Sequence, residues 1–355
     1  MESKRLLMKG NEALAEAAIR AGCLHFFGYP ITPQTEINAY MSKRMPKLGG
    51  TYLQAESEVA AINMVLGAAS AGVRTMTSSS SPGISLKSEG ISYMAGSDLP
   101  CLIVNIQRGG PGLGGIQPSQ ADYNQATKAP GHGDLHILVF APSTVQEMVD
   151  TVFDAFDLAE TYRVPAMILG DGLLGQMMEP VKFPEREVTA HAKPWALTGT
   201  QGKRKPNTVN SLFLKADELE AKVKERFKRY AEIEETHSRC EEYRTDDADV
   251  LLVAYGAASR IVRSAVNSAR DQGIKAGMLR PITLWPFPQK QIAAAAETAK
   301  SLLVVEMSMG QMVTDVRLAV NGKKPVHFLG HTGGIIPTPA EVLAEIEAIA
   351  GGQQE

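Results

Sequence analysis

The sequence of 355 residues has no run of roughly 18 consecutive apolar residues, the length that a membrane-spanning helix needs. Its first twenty or so residues also lack an apolar segment that ends in a small-residue cleavage site. Charges nearly cancel, with 36 Lys and Arg against 39 Asp and Glu, so no strong field attracts nucleic acid or an anionic membrane. We therefore expect a soluble cytoplasmic protein that binds neither nucleic acid nor membrane.

Cysteine is scarce as well. Cys23, Cys101 and Cys240 lie far apart and show no metal-ligand spacing. This suits a reducing compartment and excludes an iron–sulfur cluster held by this chain alone. H-E-x-x-H, G-K-[ST] and G-x-S-x-G are all missing, and no metal site is expected.

A glycine-rich segment at residues 109–115 satisfies G-x-G-x-x-G. That fingerprint requires a helix directly after the glycines, and Pro118 interrupts the segment instead. We therefore reject a dinucleotide site. With these motifs missing, the chain alone does not look like a complete enzyme.

Helical and strand patterns alternate from Gly10 to about Ile168. Near-continuous apolar runs such as LPCLIVNI are typical of strands that crossover helices cover on both faces. The pattern predicts an α/β fold with a doubly wound parallel sheet. The predicted helices are 11–21, 34–44, 57–71, 83–96, 119–128 and 143–162. The predicted strands are 24–28, 51–55, 73–78, 100–107, 136–140 and 165–169.

The second half of the chain begins with a change of pattern. Residues 171–205 carry several prolines and predict an extended connector, and a charged helix at 214–243 favours an exposed spacer. From Asp249 the alternation resumes and predicts a second, smaller α/β domain. Its predicted strands are 249–254, 275–279, 301–305 and 325–329, and its predicted helices are 257–271, 288–299, 311–320 and 339–349. We accordingly divide the chain into residues 1–185, 186–245 and 246–355.

Ligands in open parallel sheets bind where strands end and helices begin. Thr32 lies at such a point, between Pro30 and Pro33 in GYPITPQTE. The prolines could hold its hydroxyl in one pose. Thr32 could equally be a helix N-cap with Pro33 at the first helical position, and the pattern alone favours the cap.

Glu58 begins a predicted helix and falls on the apolar stripe of Ile62, Val65 and Ala69, at about 100° per residue. A carboxylate among aliphatic groups is costly without a partner, and such groups gather at functional sites. The alternative is a first-turn glutamate that simply interacts with the helix dipole. The pattern leaves both open.

Two further side chains follow predicted strands. Ser81 precedes Pro82 and caps well, and free backbone N–H groups there could receive an anion, although a polar loop is favoured. Arg108 ends an apolar strand beside glycines, and its fork suits a carboxylate. A structural salt bridge is the alternative for Arg108 and is slightly favoured.

Taken together, these stretches resemble the α subunit of the 2-oxoacid:ferredoxin oxidoreductases. The resemblance spans nearly the whole chain. It implies a pyrimidine-binding fold for thiamine diphosphate in residues 1–185 and a transketolase C-terminal-like domain in residues 246–355. The motifs that carry it are GNEALAEAAIRAG, YPITPQTEI, QAESEVAAINMVLGAASAG, NIQRGGPGLGG, HGDLHILVFAPSTVQEM, RVPAMILGDGLLG, LRPITLWPFP and VVEMSMGQMVTDVR.

The resemblance also implies roles for particular residues. Glu58 matches the glutamate that hydrogen-bonds the aminopyrimidine ring and promotes loss of the thiazolium proton. Thr32 and Arg108 match residues that contact the carboxylate or keto group of the 2-oxo acid, which reverses the preference for Thr32 as a cap. Ser81 is placed with them in the substrate site. Tyr29, Pro30 and Ile31 are implied as cofactor contacts.

Other chains are implied as well. A β subunit would hold the diphosphate and its Mg²⁺, a γ or ferredoxin-like subunit would carry the iron–sulfur clusters, and a second copy of this chain is expected. Coenzyme A is the implied co-substrate and ferredoxin the acceptor. The loop GGPGLGGIQPSQADY resembles the branched-chain branch, such as 2-oxoisovalerate. The alternatives are the 2-oxoglutarate branch, a transketolase- or synthase-type subunit without electron transfer, and a non-catalytic scaffold.

Overall fold

The computed structural model describes residues 5–189 and 191–352. The strands are β1 (Leu6–Lys9), β2 (His25–Gly28), β3 (Thr51–Gln54), β4 (Thr75–Ser79), β5 (Leu102–Gln107), β6 (Leu138–Phe140), β7 (Ala166–Asp171), β8 (Met178–Val181), β9 (Cys240–Tyr243), β10 (Val250–Val253), β11 (Ala276–Pro281), β12 (Thr283–Trp285), β13 (Ser301–Glu306) and β14 (Val326–Gly330). The helices are α1 (Gly10–Arg20), α2 (Thr35–Arg44), α3 (Glu58–Ser70), α4 (Ser81–Gly96), α5 (Tyr123–Thr127), α6 (Val145–Tyr162), α7 (Gly172–Gln176), α8 (Ala216–His237), α9 (Gly256–Asp271), α10 (Gln289–Thr298), α11 (Met312–Val320) and α12 (Pro339–Ala350), with a 3₁₀ helix at Met45–Leu48.

The larger sheet has seven strands in the order β12-β6-β7-β5-β4-β2-β3. The six strands from β6 to β3 are parallel to one another, and β12 pairs antiparallel with β6. Every residue of β5 and β7 is buried, as apolar strands covered on both faces require. The helix α1 packs against α6 and α2, and α3 packs against α4. The predicted doubly wound parallel sheet is confirmed.

The smaller sheet has five strands in the order β14-β13-β10-β11-β9. Its strands are parallel except β9, which pairs antiparallel with β11. The helix α9 packs against α12 and α10 against α11. The prediction of a second, smaller α/β unit is confirmed, whereas the division of the chain at residues 185 and 245 stays a prediction.

The predicted charged helix at 214–243 is too long. The helix α8 ends at His237, and residues 240–243 form the strand β9. Glu241 of β9 pairs with Arg280 of β11 at 2.8 Å and with Arg263. The cross-strand ion pair with Arg280 stabilises this acidic segment as a strand, although its composition favours a helix.

The helix α8 is also not the exposed spacer that its charges predict. Arg226, Tyr230 and Ile233 on one of its faces are buried. Arg226 donates to the Asp98 carboxylate at 2.9 Å, and the Tyr230 ring lies edge-on to Trp285 of β12 with centroids 5.5 Å apart. The helix α8 therefore packs against both the segment before β5 and the edge strand β12 of the larger sheet.

Three more elements differ from the predictions. The expected helix at 119–128 covers only Tyr123–Thr127. The expected connector at 171–205 begins with α7 and β8, and β8 pairs with β1 in an antiparallel ribbon. In the described residues between 182 and 215 there is no helix or strand. Across the part of the chain that the structure describes, every helix is too short or too polar to span a membrane.

Candidate active site

The carboxyl ends of three adjacent strands, β2, β4 and β5, meet at one edge of the larger sheet. Thr32 and Arg108 lie in the segments that follow β2 and β5, and Ser81, which follows β4, is the first residue of α4. Parallel neighbours bring their carboxyl ends together, so residues far apart in sequence become neighbours here. In the structure Arg108 contacts both Thr32 and Ser81.

Arg108 is the centre of this group. Its side chain is buried, with 7% of the residue exposed. One terminal nitrogen, Nη1, donates to the carbonyl of Thr32 at 3.0 Å, and Nη2 donates to the carbonyl of Leu113 at 3.2 Å. The buried Nε has no hydrogen-bond partner among the described residues, and no carboxylate there forms a salt bridge with the guanidinium. The structural salt bridge favoured from the pattern alone is therefore wrong.

Ser81 contacts the backbone of Arg108 itself. Its hydroxyl donates to Asp122 Oδ2 at 2.6 Å and accepts from the Arg108 backbone N–H at 3.0 Å. Asn105 donates to the same Asp122 oxygen at 2.9 Å, and burial raises the pKa of Asp122. Ser81 is neither the helix cap nor part of the favoured polar loop, because α4 begins at Ser81 and its N-cap is Ser80. The Ser81 hydroxyl is engaged on both its donor and acceptor sides.

Thr32 lies in a turn and is exposed. It is not a helix cap, because the N-cap of α2 is Gln34. Gln34 is fully buried and donates to the Tyr29 carbonyl at 3.3 Å, while Asn11 donates to the Pro33 carbonyl at 2.8 Å. Buried amides on both sides therefore fix this turn and leave the Thr32 side chain facing outward. The half-buried residues Tyr29, Pro30 and Ile31 belong to the same turn.

Glu58 is the first residue of α3, directly after the N-cap Ser57. It is buried, with 6% exposed, and it shares the buried face with Ile62, Val65 and Ala69 as the helical period predicts. No donor in the described residues hydrogen-bonds to its carboxylate. Such a group carries an unmet demand for a hydrogen-bond donor.

The Glu58 carboxylate lies against Gly83 in the first turn of α4. A Cβ placed on Gly83 would be 2.8 Å from Glu58 Oε1 and 2.1 Å from Ser79 Oγ. The Ser79 and Ser80 hydroxyls are buried and lack partners among residues 5–189 and 191–352. The glycine therefore lets the first turn of α4 approach the Glu58 carboxylate and the Ser79 hydroxyl closely, and no larger residue fits at this position.

Sequence reasoning missed one charged residue next to Glu58. Lys87 on α4 is fully buried, and its Nζ donates to Thr77 Oγ1 at 3.0 Å and to the Glu58 carbonyl at 3.4 Å. Burial lowers the pKa of Lys87 to about 8, and the Glu58 charge opposes this change. A signal was available, because Lys87 lies at helical spacing between the apolar Ile84 and Ile91.

Within the described residues the geometry thus offers a buried carboxylate without a hydrogen-bond donor and an arginine fork that forms no salt bridge with a carboxylate. In the described residues no group of three or more His, Cys, Asp or Glu is arranged to hold a metal ion. The arrangement can accept hydrogen bonds from a nitrogen heterocycle at Glu58 and receive a carboxylate at Arg108.

Comparison with known families agrees with this chemistry. Residues 16–245 match the family described as pyruvate flavodoxin/ferredoxin oxidoreductase, thiamine diphosphate-binding, and residues 248–342 match core domain II of pyruvate:ferredoxin oxidoreductase. The chain belongs to the pyruvate flavodoxin/ferredoxin oxidoreductase family. The family resemblance and the thiamine diphosphate-binding fold that it implied are confirmed.

Individual relatives narrow the class to a subunit of a 2-oxoacid oxidoreductase. The chain is 50% identical over 346 residues to ketoisovalerate oxidoreductase subunit VorB of Methanothermobacter marburgensis, which covers 97% of this chain and 98% of that relative. It is 38% identical over 370 residues to 2-oxoglutarate synthase subunit KorA of Methanothermobacter thermautotrophicus, which covers 96% of this chain and 98% of that relative.

A solved structure shows the same fold. It is 2-oxoglutarate:ferredoxin oxidoreductase from Magnetococcus marinus with 2-oxoglutarate, coenzyme A and succinyl-CoA bound. The TM-score is 0.87 at 27% identity, and the match covers 98% of this chain and 66% of the solved chain. The present chain therefore spans about two thirds of that solved relative.

Proposed function

We propose that this chain is the α subunit of an enzyme that decarboxylates 2-oxoisovalerate or a similar branched-chain 2-oxo acid, forms an acyl-CoA and reduces ferredoxin. The choice of substrate is supported by the higher identity to the relative named for ketoisovalerate, 50% against 38% for the relative named for 2-oxoglutarate. The 2-oxoglutarate branch is the second candidate, and the fold of the solved 2-oxoglutarate enzyme supports it.

One observation carries the proposal: Arg108 is a buried cation with an unpaired Nε and no carboxylate partner in the described chain. No carboxylate of the described residues forms a salt bridge with this guanidinium, and a planar fork binds a carboxylate in a defined orientation. Arg108 would therefore hold the substrate carboxylate, next to the outward-facing Thr32 that contributes its hydroxyl. Ser81 would support this contact by fixing the Arg108 backbone through its hydroxyl.

Glu58 would hold the cofactor ring. Thiamine diphosphate supplies, when bound, the electron sink that decarboxylation of a 2-oxo acid requires. The Glu58 carboxylate would accept a hydrogen bond from the aminopyrimidine ring, in surroundings dry enough for a strong interaction. Gly83 lets α4 pack closely against Glu58, and Tyr29, Pro30 and Ile31 would contact the ring.

The remaining parts of the reaction would lie on other chains. We assign the diphosphate and Mg²⁺ to a β subunit and the iron–sulfur clusters to a γ or ferredoxin-like subunit, and expect two copies of this chain. A large apolar side chain at the site supports a partner there, since Leu113, whose carbonyl accepts from Arg108, is 85% exposed. Exposed apolar patches mark interaction surfaces.

The test uses the complex assembled from this chain and its partner subunits. Viologen reduction is measured with 2-oxoisovalerate, 2-oxoglutarate and pyruvate, with and without coenzyme A. We expect the branched substrate to give the highest kcat/KM and turnover to require coenzyme A. Turnover without an electron acceptor would instead support a transketolase- or synthase-type subunit.

The variant Glu58→Gln separates catalysis from a scaffold role. We expect it to assemble and bind its partners but to lose about 100-fold or more in turnover, the usual contribution of a positioned acid–base group. The matched control is Glu56→Gln, which changes an exposed glutamate two residues earlier and should leave turnover unchanged. A fully active Glu58→Gln complex would support the scaffold instead.

A further inference from the structure

Asp122 carries a buried carboxyl group that the proposed function does not use. Its Oδ2 accepts two hydrogen bonds, from the Ser81 hydroxyl at 2.6 Å and from Asn105 Nδ2 at 2.9 Å. All three side chains are buried. Burying a carboxyl group is costly, so its place beside the carboxyl end of β5 calls for a function.

The hydrogen bond with Ser81 connects Asp122 to Arg108. The Ser81 hydroxyl has one proton and two acceptors within reach, Asp122 Oδ2 at 2.6 Å and the Arg108 carbonyl at 3.3 Å. Because Asp122 is the nearer acceptor, it takes this proton and turns the hydroxyl oxygen toward the Arg108 backbone N–H, which lies at 3.0 Å. Asn105 supports the same arrangement, since its Oδ1 accepts from the Ser81 backbone N–H at 3.1 Å. Three buried side chains thus fix the backbone from which the Arg108 side chain extends.

Asp122 is itself held from two sides. Its backbone N–H donates to Gln107 Oε1 at 3.0 Å, at the end of β5. Two residues earlier, the buried Gln120 lies at the carboxyl ends of β10 and β13, where the strand order of the smaller sheet reverses. The Gln120 side chain donates to the Tyr255 carbonyl at 2.9 Å and accepts from the Met307 backbone N–H at 3.0 Å. Gln120 thus occupies a crevice of the kind in which open sheets bind ligands, and its contacts fix Asp122 relative to both sheets.

We propose that Asp122 is a positioning residue for Arg108. Through the Ser81 hydroxyl, Asp122 Oδ2 fixes the Arg108 backbone, so the guanidinium meets the carboxylate of the 2-oxo acid in one orientation. A binding group that is fixed before the ligand arrives loses less conformational freedom on binding. This inference rests on the proposed function of Arg108 and adds the residue that fixes the origin of its side chain.

A positioning role and a purely structural role for Asp122 predict different results. Both hydrogen bonds use Oδ2 alone, so the arrangement needs one acceptor at this point, and the amide oxygen of an asparagine can provide it. In a positioning role, loss of the acceptor weakens recognition of the substrate carboxylate in particular. In a purely structural role, the same loss weakens every ligand of the site alike.

The test measures binding of the 2-oxo acid and of its neutral amide to the assembled complex by competition. Asp122→Ala removes the acceptor, so affinity for the acid should fall by about 10-fold to 100-fold, the size of loss that a misplacement of about 1 Å can cause. Affinity for the amide, which has no charge to match the arginine fork, should change by less than about threefold. Asp122→Asn keeps an oxygen for Ser81 and Asn105, so its affinity for the acid should stay within about threefold of wild type.

The matched control is Thr127→Val on α5. Thr127 is buried and its hydroxyl donates to the Tyr123 carbonyl at 2.8 Å, so this variant also removes a buried hydrogen bond, but one that involves neither Ser81 nor Arg108. It should lower the midpoint of denaturant unfolding and leave the affinities for the acid and the amide unchanged.

Three outcomes overturn the proposal. These are wild-type affinity for the acid in Asp122→Ala, equal losses for the acid and the amide in that variant, and a loss in Asp122→Asn as large as in Asp122→Ala. If Asp122→Ala does not assemble, Ser81→Ala decides, because Asp122 acts through the Ser81 hydroxyl. A loss for the acid alone in Ser81→Ala supports the proposal, and unchanged affinity overturns it.

Arg108→Met, measured in parallel, separates this inference from the proposed function. If Arg108→Met keeps its affinity for the acid, the function proposed for Arg108 is wrong and this inference fails with it. If Arg108→Met loses affinity while Asp122→Ala does not, the function proposed for Arg108 stands and only positioning by Asp122 is wrong.

Discussion

Replacing Arg108 tests the substrate site most directly. Two N–H groups of the guanidinium donate to the Thr32 and Leu113 carbonyls at 3.0 and 3.2 Å. These hydrogen bonds fix its orientation and leave its remaining N–H groups for a ligand. Truncation of one partner in a buried, hydrogen-bonded charge pair costs about 2–5 kcal/mol. Arg108→Met should therefore weaken binding of the 2-oxo acid by roughly 30-fold to several thousand-fold.

Arg108→Lys should fall between wild type and Arg108→Met. Lysine keeps the charge but cannot bridge both carbonyls and a carboxylate, so it loses at least one hydrogen bond to a charged group, worth about 1.5–3 kcal/mol. The expected loss is about 10-fold to 150-fold. A lysine variant as active as wild type would show that only charge, and not the fork, matters.

The assay measures binding of the 2-oxo acid to the assembled complex by competition, beside the neutral amide of the same acid. Arg108→Met should lose affinity for the acid and change affinity for the amide by less than about threefold. Arg317→Gln, which alters an exposed arginine on α11, is the control and should change neither. Equal losses for the acid and the amide would refute a carboxylate contact and indicate a general collapse of the site.

Two further predictions concern Gly83 and Asp171. Gly83→Ala places a methyl group 2.1 Å from Ser79 Oγ and 2.8 Å from Glu58 Oε1, so it should cost about 1–3 kcal/mol in unfolding free energy and weaken thiamine diphosphate binding. In the control Gly67→Ala the added methyl group meets nothing within 4 Å, so this variant should stabilise α3. Equal effects of the two variants on the unfolding free energy would show that crowding at Gly83 is not the cause. Burial raises the pKa of Asp171 from 3.8 to about 6, so the folded chain holds this proton more tightly and stability should fall by about 3 kcal/mol as the pH rises through that interval. Asp171→Asn should remove this dependence of unfolding free energy on pH, measured by denaturant unfolding at stepped pH. If the variant keeps the wild-type dependence, other titratable groups cause it.

The sequence predicts those features that depend on local pattern. Apolar runs such as that of β5 identify buried parallel strands, and the alternation of strands and helices then specifies the doubly wound sheet. The helical period also places Glu58 on the buried face of α3, which the structure confirms. Both signals come from neighbours in the chain, so neither requires knowledge of the tertiary contacts.

Features that depend on distant pairing are not predictable in this way. The segment of β9 favours a helix by composition, and its arginine partners come from other elements, Arg280 on β11 and Arg263 on α9. The partners of Arg108 are backbone carbonyls that loop geometry brings to it, so the pattern could not exclude a salt bridge. Lys87 differs, because its position on an apolar face was visible in the sequence.

The edge strand β12 of the larger sheet comes from the second matched segment of the chain. Thr283 of β12 pairs with Phe140 of β6. The first family match, which contains β6, ends at residue 245. A gene split between the two matched segments would leave β6 as an open edge, which invites self-association. The two matched segments therefore share one sheet, and a chimera that swaps one for a homologue's has to preserve the pairing of Thr283 with Phe140 and of Trp285 with Val139.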